Sequence, residues 1–286
     1  MKKGIIFTGL AVLVFAACAT AGGGETTTGG AAASRPGGAR ADGKTRQIPL
    51  ETKSMVLFAD GSLDEYTTTD YDSSFNITGQ SRYSASGALL EQIEYIYQDE
   101  KGRLSARITR DAENRIKNRI VYEYDDQGHL LRETLLNKAG EAVSSSEYAY
   151  DGSGNCIART VNSGTGAKLA GTIYTYNSDG TLASSETRNG AGQKISSTLN
   201  GYDARGNLIN QKIMGMDGQV TTLIDAVWQD GHEIENEQKG PDGSIQLRVT
   251  NEYGAEGELL KKTVENVRDE SIQIVRYEYA FKPAGR

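Results

Sequence analysis

An aromatic residue returns along the chain at Tyr71, Tyr97, Tyr124, Tyr150, Tyr176, Tyr202, Trp228, Tyr253 and Tyr279, in steps of 26, 27, 26, 26, 26, 26, 25 and 26 residues. A register held over nine occurrences demands a repeat architecture in which each unit is one small supersecondary element. What a unit contains therefore constrains the fold before composition does.

Each unit carries two turn signals. Three to five residues after the aromatic comes a glycine, at Gly102, Gly128, Gly154, Gly180, Gly206, Gly231 and Gly257, mostly among Asp and Asn. Ten residues before the aromatic comes another, at Gly61, Gly87, Gly140, Gly166, Gly192, Gly218 and Gly243, with Asn114 and Asp269 in the two remaining slots. Glycine, Asn and Asp supply the positive φ of tight hairpin turns. An apolar residue opens the return strand, as at Ile77, Leu130, Leu182, Leu208, Ile234 and Leu259.

Between turns the pattern alternates, as in Val220, Thr222, Ile224, Ala226, Trp228, which is the period of a strand. Pairs such as Tyr95/Tyr97, Tyr122/Tyr124, Tyr148/Tyr150, Tyr174/Tyr176 and Tyr277/Tyr279 place both rings on one face. The spacing predicts an all-β chain: a long antiparallel up-and-down meander of about 18 strands, built from hairpin repeats of about 26 residues. A twisted sheet of more than about ten strands curls, splits or closes, so a superhelix, a partial shell or a barrel is expected. The reading adopted is a curled or superhelical sheet whose aromatic residues stack into a ladder. Trp228 fills the same ladder position and reads as packing.

The first fifty residues differ in kind. Lys2 and Lys3 precede the short apolar run Gly4 to Phe15, and small Ala16 and Ala17 precede Cys18. This resembles a bacterial lipobox, which implies cleavage before Cys18 and acylation of its thiol; Phe15, in place of the usual Leu, leaves an ordinary signal-peptidase cut as the alternative. Several acyl chains would anchor the chain durably where one is marginal. Ala19 after the cysteine is compatible, by analogy with lipoprotein sorting, with the outer membrane. Residues 1–17 thus read as a signal peptide, 18–53 as a lipidated, disordered Gly/Ala/Thr-rich tether, and 54–286 as the repeat domain.

Tyr124-Asp125-Asp126-Gln127-Gly128-His129-Leu130, Tyr150-Asp151-Gly152-Ser153-Gly154 and Tyr202-Asp203-Ala204-Arg205-Gly206-Asn207-Leu208 resemble the YD repeats of the RHS family, and Lys101-Gly102-Arg103-Leu104 is similar to its Gly-Arg-Leu element. The likeness spans roughly residues 71 to 260. It implies a surface β-shell of the kind that encloses toxins or supports contact with cells and carbohydrate. The period here is longer than the usual YD unit, and no segment looks like the family's self-cleaving domain or a toxin, so no toxin function is carried over.

Little in the chain points to chemistry. His129 and His232 lie in turns about four repeats apart and read as solvated turn residues. Cys156, at the apolar slot of its unit, reads as buried and structural. Asp72, Asp125, Asp151, Asp203, Asn177 and Asp179 follow ladder aromatics; turn capping is preferred to a calcium column, because Gln98, Gln229, Gly254 and Ala280 take the same slot. No catalytic residue, metal or cofactor is expected, and a net charge of −7 argues against nucleic acid as a partner. The expected role is a structural or adhesive envelope module for protein or glycan, tethered to the membrane by its N-terminal lipid. The alternatives are an assembly scaffold docking through sheet edges and an 18-stranded membrane barrel, the latter disfavoured by polar strands such as Ser196, Thr198, Asn200.

Overall fold

The computed structural model describes residues 47–99 and 102–283, which form eighteen antiparallel strands. The first six are β1 (Gln47–Phe58), β2 (Leu63–Tyr71), β3 (Ile77–Ser84), β4 (Leu89–Tyr97), β5 (Leu104–Asp111) and β6 (Ile116–Tyr124). Then come β7 (Leu130–Asn137), β8 (Ala142–Tyr150), β9 (Cys156–Ser163), β10 (Lys168–Tyr176), β11 (Leu182–Asn189) and β12 (Lys194–Tyr202). The last six are β13 (Leu208–Met214), β14 (Val220–Gln229), β15 (His232–Lys239), β16 (Ile245–Tyr253), β17 (Leu259–Asn266) and β18 (Ser271–Pro283). Every strand pairs with its sequence neighbours, as short turns require.

The sheet is closed. β1 pairs with β2 on one side and with β18 on the other, from Gln47 opposite Pro283 to Phe58 opposite Gln273. The expectation of an open curled or superhelical sheet is thereby overturned: the molecule is an 18-stranded up-and-down barrel. The reason lies in the register. Thr172 faces Thr187, which faces Ser196, an advance of 24 residues where the sequence repeat is 26. The same two-residue slip recurs at every hairpin, and the closing step repeats it, Tyr277 facing Ser54 and Ser54 facing Thr67. Nine such slips displace the wall by 18 residues in one circuit, matching the strand count and giving the tilt of about 35–45° usual for barrels. Strands about 4.8 Å apart then make a cylinder roughly 30–35 Å across.

Uniform hairpins produce the uniform slip. In most turns the residue before the loop accepts from the fourth position of the turn and donates to the residue beyond it, as where Gly128 N–H donates to Asp125 O and Asp125 N–H to His129 O, both at 3.0 Å. Gly128 takes φ 94°, the left-handed position that closes such a loop. Asn114 holds the corresponding place at φ 63°, as its slot predicts, but in the last unit Glu270 (φ 56°) takes it, not Asp269. The first unit is the exception in side-chain type, with Phe75 at φ 67°.

The ladder side chains face inward. On β10, Tyr174 is 6 % exposed and its neighbour Ile173 55 %; on β12, Thr198 is 5 % exposed and Leu199 47 %. Side chains on the concave side of a closed wall converge and cover one another, whereas those on the convex side splay into solvent. Both walls are polar at mid-height, with Glu133, Arg159 and Gln211 on the inner one and Glu94, Glu147 and Arg248 on the outer one. Neither offers the apolar band, about 25 Å tall, that a lipid-facing barrel wall needs.

β1 begins at Gln47, inside the segment expected to be tether, so residues 47–53 belong to the barrel wall. Ile48 and Leu50 share one face there, but the register shifts between Glu51 and Lys53, and the first pairing partner lies at the far end of the sequence, out of reach of a local pattern. The signal segment and Cys18 lie outside the described residues.

Candidate functional site

The nine ladder aromatics make one contact in common. The hydroxyls of Tyr71, Tyr97, Tyr150, Tyr176, Tyr202, Tyr253 and Tyr279 each donate, at 2.7–2.9 Å, to the backbone carbonyl 20 positions earlier: Glu51, Ile77, Leu130, Cys156, Leu182, Glu233 and Leu259. Trp228 does the same through its indole N–H to Leu208 O at 2.9 Å. Tyr124 bonds to the Leu104 backbone. The acceptor lies at or near the start of the adjacent strand, where the slip leaves it without a ladder partner on the side facing the ring's own strand. Each ring therefore latches one hairpin to the one before it, around a single rim. The expected stacking of rings on one another gives way to this, since the repeat spacing fixed their register and not their partner.

In three units the residue one position before the acceptor packs against the next ring. His129 stacks on Tyr150 with centroids 4.6 Å apart, His232 on Tyr253 at 4.4 Å, and the Arg103 guanidinium sits 6.0 Å from the Tyr124 centroid. The histidines are thus packing residues rather than solvated turn residues. His129 Nδ1 also meets Asp125 Oδ2 at 2.9 Å.

The turn carboxylates are engaged in capping. Asp151 Oδ1 accepts from Ser153 N–H and Asn155 N–H at 2.9 Å, and its Oδ2 accepts from the Asn155 amide at 3.0 Å. Asp72 and Asp203 repeat the arrangement. Hydrogen bonds from Asn76, Asn155 and Asn207 hold these carboxyls below their ordinary range. Cys156 is buried, 2 % exposed, as its slot predicts.

One level deeper stand Tyr95, Tyr122, Tyr148 and Tyr174, on four successive even strands. Tyr95 donates to Gln80 Oε1 at 2.7 Å, and Tyr148 donates to Glu133 with the Arg159 guanidinium 6.0 Å from its ring centroid. Across the barrel the same level carries amides instead: Asn200 and Asn251 each donate to the carbonyl that their own ladder tyrosine also uses. At this level the inner wall is therefore aromatic from β4 to β10 and carries amides on β12 and β16.

Sequence reasoning missed two acids. The acceptor slot, apolar in most units, holds Glu51 and Glu233, and burial raises the pKa of both. Glu233 escaped notice because the turn after Trp228 is shorter, so the strand opens before Ile234. Burial lowers the pKa of nearby Lys262, partly offset by the Glu233 charge.

At the tyrosine rim an open notch of about 670 Å³ lies between two hairpin ends. Its lining includes Tyr174, Tyr176, Asn155, Asn177, Ser178 and Asp179. Tyr174 is buried, so the notch presents chiefly the amide, carboxylate and hydroxyl groups of the two turns beside Tyr176.

Fold and rim define the protein as a closed, rim-latched β-barrel. No protein-family model matches the chain, and no curated protein matches it. Among solved structures it is similar to a porin-like protein from Bacteroides uniformis (12% identity, TM-score 0.44, covering 80% of this chain and 98% of that one). It is also similar to a porin-like protein from Bacteroides vulgatus (10% identity, TM-score 0.35, covering 80% and 98%). A third likeness is to the TcdB2-TccC3 complex (14% identity, TM-score 0.32), where the match covers 78% of this chain and 16% of that one. The barrel assignment rests on this chain's own strand pairing and not on these likenesses.

Proposed function

We propose that this chain is an exported lipoprotein, acylated at Cys18, whose barrel is a non-catalytic binding module of the cell envelope, held at the outer membrane and taking a glycan at its tyrosine rim. The observation that carries the reading is the rim notch: an open site of about 670 Å³, room for more than one sugar ring, with Tyr176 in its wall and Asn155, Asn177 and Asp179 around it. The latches hold its position on rigid strands. Docking through free sheet edges, the scaffold alternative, is withdrawn, because a closed barrel has no edge to which a strand can be added.

The binding test titrates purified protein with envelope oligosaccharides, in the native form and with Ser178→Trp, which obstructs the notch without replacing a latch residue. Binding that Ser178→Trp abolishes supports the reading; binding that survives it, or none at all, contradicts it. Acylation is read separately, as membrane-fraction recovery and intact mass of the native chain against Cys18→Ala. Protease treatment of intact cells then distinguishes an outward-facing from an inward-facing barrel.

A further inference from the structure

The outer wall is not uniform. Although the chain carries a net charge of −7, strands β10 to β13 hold four cations, Lys168, Arg188, Lys194 and Lys212, against the single carboxylate of Glu186. Arg188 and Lys194 both approach that carboxylate, at 2.5 and 3.9 Å, so one acid is shared between two bases and the sector stays positive. The same sector carries exposed aliphatic side chains at Leu169, Ile173, Ile195 and Leu199.

The surroundings make these side chains protrude. Ile173 faces Ala158 on one side and Glu186 on the other, while Leu199 lies between Ser184 and Lys212. Gly171 has no side chain, and the Lys168 ammonium lies over it, 3.2 Å from where a Cβ would stand. Aliphatic groups thus rise from a floor of Gly, Ala and Ser, with cations beside and between them. Three of the four cations are lysines, which protein–protein interfaces disfavour and anionic headgroups attract.

We infer that the outer wall of β10 to β13 is a lipid-contact surface, seating the barrel on its side against a bilayer rich in anionic headgroups. Leu169, Ile173, Ile195 and Leu199 enter the headgroup and acyl boundary, while Lys168, Arg188, Lys194 and Lys212 meet phosphate. The acidic remainder of the surface is repelled, which selects this sector. The inference requires neither acylation of Cys18 nor the rim notch.

The test uses chain beginning at Ala19, which has no acyl group, in co-sedimentation with vesicles of phosphatidylcholine alone and of phosphatidylcholine with phosphatidylglycerol. Sedimentation with the anionic vesicles only, weakening as salt rises, is expected. The pair Ile173→Asn with Leu199→Asn and, separately, the pair Lys194→Glu with Lys212→Glu should each lower the partition coefficient roughly tenfold or more. Leu260→Asn, on β17 well round the barrel, should leave it unchanged. All five positions lie on the outer wall, and retention of the thermal transition confirms folding. Failure of the native chain to sediment overturns the inference, as does equal binding to neutral vesicles. A native dimer dispersed by Ile173→Asn with Leu199→Asn also overturns it, in favour of a second copy of the chain on this face.

Discussion

The hydroxyl of Tyr176 donates to the carbonyl oxygen of Cys156 at 2.7 Å, from β10 to the start of β9, across the boundary between two hairpins. Eight other aromatics make the equivalent bond, so the rim is held by a ring of identical latches rather than by a packed interior. Each latch satisfies a carbonyl that the two-residue slip has taken out of the ladder. Tyr176→Phe keeps the ring and deletes the donor, and should cost about 1 kcal/mol in denaturant unfolding. Tyr150→Phe and Tyr202→Phe should each cost a similar amount. Trp228→Phe should cost more, since indole area is lost with the N–H. Unequal losses among the three tyrosines, or none, would show that the bonds are incidental.

Phe75 sits at φ 67°, the place that glycine holds in most of the other rim turns, and its N–H still donates to Asp72 O at 3.1 Å. Left-handed backbone costs a residue with a Cβ about 1–2 kcal/mol, and the phenyl ring, 38 % exposed, recovers little by burial. Phe75→Gly should therefore stabilise the barrel by about 1 kcal/mol, seen as a higher denaturant midpoint at unchanged slope. Gly154→Ala should do the reverse: φ is 83° there, and the added carbon would stand 3.2 Å from His129 Nε2. A midpoint that falls for Phe75→Gly would mean that the ring holds something the strain does not outweigh.

Hairpins, turn positions and strand number were legible in the residues because each is a local decision: two glycines and an alternating run per unit. Closure was not. It depends on the slip at each hairpin and on Gln47 to Phe58 meeting Gln273 to Pro283, partners separated by the whole domain. The rim was half legible: the spacing marked the ladder tyrosines, but a hydroxyl's acceptor 20 residues back is visible only when neighbouring hairpins are set side by side. Glu51 and Glu233 were hidden by their unusual slot, as was the stacking of His129 on Tyr150.

Alkali should loosen the seam. Burial, and then the Glu51 charge, push Tyr71 and Tyr277 up from 10.0 to about 12, and Tyr279 is also raised. A raised folded-state pKa means that the native form holds the proton more tightly. That contribution is complete below the ordinary tyrosine value and is lost as pH climbs through the folded values. The denaturant midpoint should thus fall between pH 10.0 and about 12, with tyrosinate absorbance rising along with unfolding. Tyr277→Phe should shrink the fall. On the acid side Asp72, Asp151 and Asp203 are lowered, so their contribution is present above the ordinary carboxylate range and disappears as pH drops through the folded values. Tyrosines that ionise near their ordinary value without unfolding would contradict the alkaline half.

Closure through β1 and β18 also makes a prediction about connectivity. Gln47 and Pro283 are paired at one rim, so a short flexible linker can join them, and the chain can be reopened elsewhere without stretching any strand. Opening it at Gly140, in an exposed turn at the opposite rim, breaks no latch. The permutant should unfold within about 1 kcal/mol of the parent, since only loop-closure entropy changes. Removing β1 instead, residues 47 to 58, should leave β2 and β18 with unpaired N–H and C=O groups and take away the Glu51 carbonyl that Tyr71 uses. Unpaired strand edges recruit other edges, so the truncated chain should run as oligomers or precipitate. A soluble monomeric truncation would show that the cylinder does not depend on its seam, and a permutant that fails to fold would show that the order in which hairpins form matters as much as their final pairing.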